Sequence, residues 1–221
     1  MDAQLALFEK IKQHLLTQSN KTGKKIETET ALAEHFGVSR YKIRQALTAL
    51  SQMGYLDRAP KKGSVVRRPD ADALSDQMKF QFAVAGFNAA EFVEARVLIE
   101  TAILPLAVRR MTPSLMTQLE YALEQIEANA DNPLEADKHD RDFHLLLLQA
   151  CGNRVLQTFS GVLITYFEKT TSLLATCDRN YFIDIAEKER EILQAIKDDK
   201  PELAERLLKA HLIEKAALPA K

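Results

Sequence analysis

Glycine is scarce in this chain, 7 residues among 221, and no glycine-rich run is present that would cradle a phosphate. Cysteine is scarcer still. Cys151 and Cys177 form no CxxC pair, so the expectation is reduced thiols packed as small hydrophobes in a cytoplasmic protein rather than a disulfide framework. No uninterrupted apolar run approaches a membrane span, which argues against membrane partners. The opening MDAQLALFEKIK brings charge too early for a secretory signal and reads instead as an amphipathic helix. Internal repeats and low-complexity tracts are lacking, and strand-type alternation is sparse in the second half.

Net charge is also nearly lacking, at −1, but the balance hides a separation. Residues 1–68 carry 13 Lys and Arg against 6 Asp and Glu, a balance of +7, whereas the remainder carries 17 against 25, a balance of −8. A basic head therefore precedes an acidic body. Such a head is drawn to phosphate, and its binding should depend steeply on salt, while an acidic body has no reason to lie along DNA.

What is present in the head is a legible motif, ETALAEHFGVSRYKIRQALTALSQMGYLDRAPKKGSVV, from Glu29 to Val66. Ala31, Leu32, Phe36 and Val38, then Ile43, Ala46, Leu47 and Leu50, give one apolar face to each of two helices. Gly37 supplies the positive φ that ends the first, and Ser39 can cap the second. The first turns of that second helix carry Arg40, Tyr41, Lys42 and Arg44 on the polar side, where a recognition helix presents its groove-reading residues. Strand residues from Tyr55, a turn over Ala59–Gly63 with Lys61 and Lys62 at its tip, and a return through Val65 and Val66 form a hairpin wing. A three-helix segment with an exposed basic face would share the first part of this pattern; the wing favours DNA binding.

The chain is long enough for two cores. The expected layout is a winged helix-turn-helix DNA-binding domain at 1–68, a polar linker at 69–75, and an all-α helical bundle at 76–221, mainly α overall. Helices are expected near 72–84, 88–111, 113–130, 134–151, 153–176, 180–198 and 201–216, with a kink at Pro105. His14 and His35 are expected to pack without ligands.

With these residues in view, the chain resembles the GntR family of bacterial transcription regulators, in its FadR-like subfamily with an all-helical (FCD-type) effector domain. The resemblance rests on ALAEHFGVSRYKIRQALTALSQMGYL and PKKGSVV in the head. In the body it rests on Glu94-Ala-Arg96 with Leu98 and Glu100, on Asp140-Arg-Asp-Phe-His144, on Gly152-Asn153, and on Ala204 to His211-Leu212. It implies that Ser39, Arg40, Tyr41, Lys42 and Arg44 contact double-stranded operator DNA, with Lys62 and Gly63 reaching it from the wing, in a homodimer on a short palindrome. Thr30 stands where relatives often have arginine, so the usual operator need not apply.

The resemblance also implies a divalent metal, because relatives commonly hold one with an aspartate and three histidines. Asp140 and His144, four apart on one helical face, and His211 fit that set; Glu189 occupies the remaining position. Glutamate can bind Zn, Mn or Ni through oxygen but adds charge and favours harder ions. The same residues are equally compatible with a surface ion pair and a metal-free pocket. His139 would face another direction. Arg96, on an apolar stretch, either pairs with Glu100 or Asp142 or clamps the carboxylate of a small effector. Asn153 is assigned to the effector or, more simply, to a helix cap. Two alternatives stay open: a metal-free regulator binding a fatty acyl thioester, and a metal-dependent enzyme with a nucleic-acid-binding head.

Overall fold

The computed structural model describes residues 3–19, 25–59, 63–67 and 69–216. They fall into two compact units, residues 1–69 and 70–221.

In the first unit, α1 (Ala3–Ser19), α2 (Glu29–Phe36) and α3 (Arg40–Gln52) precede an antiparallel pair, β1 (Leu56–Ala59) and β2 (Gly63–Val66). Local chemistry sets the boundaries. Thr28 accepts from the Ala31 backbone to start α2, Gly37 ends it at φ 63°, and Ser39 accepts from the Lys42 backbone to start α3. Ile11, Leu15, Leu32, Ile43, Leu47, Leu50 and Leu56 close one small core. The strand register pairs Leu56 with Val66, and Lys25 adds an antiparallel bridge to Val65, an edge pairing that the sequence pattern had not suggested.

The second unit is all-helical among the described residues. It comprises α4 (Ala71–Ala85), α5 (Ala89–Arg110), α6 (Pro113–Ala128), α7 (Pro133–Ala150), α8 (Arg154–Gln157), α9 (Ser160–Thr170), a 3-10 turn (Thr171–Thr176), α10 (Arg179–Lys197) and α11 (Pro201–Ala216). Asn88 and Glu91 form a reciprocal capping box at the start of α5, and Asp178 caps α10. Helix α5 continues through Pro105. It packs against α7, α9 and α11, which places it at the centre of the bundle.

Two expectations need correction. Helix α4 begins at Ala71, capped by Asp70, so most of the span read as linker is helical. The single helix expected over 153–176 is three pieces. The chain breaks at Thr158–Phe159 so that Gly161 can approach α4: an added Cβ there would lie 2.9 Å from the Ser75 carbonyl oxygen, and Ser160 donates to Ser75 at 2.9 Å.

Candidate nucleic-acid face and buried metal centre

Helix α3 buries Ile43, Ala46, Leu47 and Leu50 and exposes Arg40, Tyr41, Lys42 and Arg44. Tyr41 accepts from Gln45 at 2.8 Å. Arg44 is not free: its Nε and Nη2 both donate to Glu29 Oε2, at 3.0 and 2.8 Å. Arg58 on β1 donates to the other oxygen of Glu29 at 3.0 Å and to Thr48 at 2.8 Å. Hydrogen bonding from Arg44 holds the Glu29 carboxyl below its ordinary range. Glu29 thus ties α2 to the recognition helix and to the wing strand, a brace invisible in spacing alone. Gly63 opens β2 at φ 90°, whereas Lys61 and Lys62 lie outside the described residues.

In the second unit, three helices aim four ionisable side chains at one interior point. Asp140 and His144 come from α7, Glu189 from α10 and His211 from α11; all four are buried. One ligand atom from each lies within 4.8 Å of the others. His144 Nε2 is 3.2 Å from Asp140 Oδ1 and 3.1 Å from Glu189 Oε1, and His211 Nε2 is 3.5 Å from the same glutamate oxygen. Yet both oxygens of Asp140 and Glu189 and the Nε2 atoms of both histidines have no aligned hydrogen-bond partner.

The other side of His144 is fully engaged. Its Nδ1 lies 2.5 Å from Glu100 Oε2, and the second oxygen of Glu100 accepts from Arg96 Nε at 2.5 Å. A carboxylate there keeps a proton on Nδ1 and turns Nε2 toward the cluster, where an ion that displaced the second proton would find a lone pair, the arrangement that orients metal-binding histidines. Burial pushes Glu100 up, but His144 and Arg96 outweigh it and hold the carboxyl at about 2. Burial likewise pushes His144 down, and Glu100 reverses this, so its pKa is raised. For Glu189 the upward push of burial loses to His144 and His211.

So many buried polar atoms left without an aligned hydrogen bond in one place would be costly in an ordinary core. Two carboxylates and two imidazoles converging on that spot form a donor set of the kind that takes a divalent ion, so the residues fit such a group.

Beside this cluster, the Arg96 guanidinium lies over the rings of Tyr166 and Phe167, 4.5 and 4.6 Å from their centroids, and its Nη2 has no partner. Of the two partners considered for Arg96, Glu100 is the one found; Asp142 instead lies near His139 and Arg141. Lys215, four residues after His211 on α11, contacts Asp140 and sits 4.8 Å from the Phe167 centroid. Burial and Arg96 pull Lys215 down to about 7. Burial raises Asp137 nearby. Sequence reasoning overlooked Lys215, although its spacing from His211 put both on one face. Asn153 is exposed, and its Oδ1 accepts from the Val155 and Leu156 backbones at 3.0 and 3.4 Å, so the cap is what the structure assigns it. His139 lines an outer cleft with Gln118 and Tyr121, away from the cluster.

Comparisons agree with this division. Residues 3–66 match the model for bacterial regulatory proteins of the gntR family, and residues 91–214 match the FCD domain model. The chain is 26% identical over 197 residues to the HTH-type transcriptional regulator LutR of Bacillus subtilis, covering 87% of this chain and 90% of that one. It is 26% identical over 213 residues to the HTH-type transcriptional repressor NanR of Escherichia coli K12, covering 92% and 79%. Among solved structures, Streptococcus agalactiae GntR aligns over 96% of this chain and 98% of its own, with TM-score 0.55 and 21% identity. E. coli McbR/YncC aligns over 96% and 95%, with TM-score 0.52 and 19% identity, a likeness of fold.

Proposed function

The chain belongs to the GntR family of bacterial regulatory proteins, with an FCD domain, and is therefore a DNA-binding transcription regulator; we propose that a small carboxylate bound beside a divalent metal in the helical unit sets its affinity for operator DNA. The observation that carries this reading is the convergence of Asp140, His144, Glu189 and His211 with their ligand atoms buried and without aligned hydrogen-bond partners. These four residues would hold the ion, which supplies positive charge for anchoring an anionic oxygen. Glu100 fixes the His144 ring, and the free Nη2 of Arg96 is aimed to take a carboxylate oxygen through a charge-assisted bond.

In the head, the exposed Arg40, Tyr41 and Lys42 would read the DNA, with Ser39 at the helix start, Gly63 on the wing, and Lys62, outside the described residues, as a further contact. Arg44 joins them once DNA phosphate competes with Glu29 for its guanidinium. We read the working form as a cytoplasmic homodimer on a short palindrome; no helix among the described residues is long and apolar enough to cross a membrane. A coupling of about 1 to 3 kcal/mol between effector and operator is enough to switch a promoter.

The test is twofold. Thermal unfolding should show stability lost with chelator, restored by Zn, Mn or Ni, and raised further by one acid from a small-carboxylate panel. A DNA selected from a random pool by the protein should then be released or retained according to that acid. Indifference to chelator and to every acid would defeat the metal and carboxylate reading and favour an acyl thioester; turnover of an acid would instead revive the enzyme alternative.

A further inference from the structure

The orphan atoms of the buried cluster sort into two sets. A divalent ion would satisfy the oxygens of Asp140 and Glu189 and the Nε2 atoms of His144 and His211. Setting aside Arg141, whose side chain is about a third exposed, what remains are Arg96 Nη2 and Lys215 Nζ. Both carry N–H donors and are cations when protonated, both are almost wholly buried, and both lie against the ring of Phe167, Arg96 Cζ at 4.6 Å and Lys215 Nζ at 4.8 Å from its centroid.

Two like charges do not share a buried ring without something between them. Glu100 already accepts from Arg96 Nε, and a metal would claim Asp140, the carboxylate that Lys215 contacts. The ammonium has three donors and, once the ion is in place, a weakened partner.

Charge gives the same direction. Glu189 adds one negative charge to the ligand set relative to the histidine that the family resemblance places there, so two carboxylates and two neutral imidazoles cancel a divalent ion. The positive charge that would draw an anion then resides less on the ion than on Lys215.

We infer that Lys215 is the second arm of the anion site: the anionic oxygens of a small carboxylate effector are shared between Arg96 Nη2 and Lys215 Nζ beside the ring of Phe167. This rests on the reading of the buried cluster as an effector site. It makes Lys215, on the helix that also carries His211, the residue through which effector binding is felt at the C-terminal end of the bundle.

The experiment uses the full chain loaded with metal, titrated with acetate, lactate, succinate and citrate by calorimetry, with metal content measured in parallel. Lys215→Met, which keeps the stem on Phe167, should retain wild-type metal content and lose about tenfold or more in affinity for whichever acid binds. Lys215→Arg should recover part of that loss; if Lys215→Met does not fold, Lys215→Gln takes its place. Unchanged acid affinity in the methionine variant overturns the role of Lys215 while leaving the carboxylate reading intact. Loss of metal together with acid binding also overturns it, because Lys215 would then serve only to hold Asp140. A wild-type protein that binds none of the four acids overturns both readings.

Discussion

His144 Nδ1 lies 2.5 Å from Glu100 Oε2, joining α7 to α5 beside the ligand cluster. The contact decides which imidazole nitrogen faces the cluster, so a residue outside the ligand set controls the set.

Replacing Glu100 with Gln should therefore lower metal affinity by about 10- to 100-fold although no ligand is touched. In chelator, the metal-free protein should lose about 3 kcal/mol, because Arg96 and His144 are left buried without their carboxylate. The sign of the pH dependence follows from the depressed pKa. Glu100 contributes in full above its ordinary value of 4.5 and loses the contribution as pH falls toward about 2. The stability gap between wild type and variant, followed by urea unfolding, should narrow over that interval.

Glu189→His would remove one negative charge and complete an aspartate with three histidines. Affinity for Zn and Ni should rise by about tenfold relative to Mn, since imidazole suits those ions better than carboxylate does. Competition titrations read this directly, and an unchanged Mn preference would show that Glu189 does not touch the ion.

In the head, Glu29→Gln keeps the shape of the brace while releasing Arg44 and Arg58 from its charge. Binding to DNA should strengthen at low salt, and the slope of log affinity against log salt should steepen by about 0.9 for each guanidinium that reaches phosphate. A weaker complex with an unaltered slope would mean that Glu29 matters for the geometry of α3 rather than as a competitor.

Gly161→Ala places a methyl 2.9 Å from the Ser75 backbone oxygen, which cannot swing aside as the Ser75 hydroxyl and the Lys79 stem, at 3.0 and 3.3 Å, could. The cost should be about 1 to 3 kcal/mol, seen as a melting temperature lower by several degrees, without change in the DNA-binding unit's own behaviour.

The head was legible because its signals are local. Gly37 and Ser39 announce a turn and a cap within three residues, and the apolar spacing of Ile43, Ala46, Leu47 and Leu50 leaves Arg40, Tyr41 and Lys42 on the outside whatever the rest of the chain does. The Asp140–His144 pair was legible for the same reason, one helical turn on one face. Glu29's grip on Arg44 was not, since the two are fifteen residues apart on different helices. Gly161 read as an ordinary helix residue because the Ser75 carbonyl that forbids a side chain there belongs to another helix.

The amino-acid sequence by itself determined the caps that start and stop α2 and α3, which faces are apolar, and that a basic head precedes an acidic helical body. Caps, glycines and periodicity act over a few residues, so they need no partner to be read. Only the tertiary structure decided that Glu100 points His144, that Asn153 is spent on a cap, and that Arg96 and Lys215 each lie against the ring of Phe167. Those relations depend on how α5, α7, α9 and α11 pack, and packing brings together charges that no spacing along the chain relates.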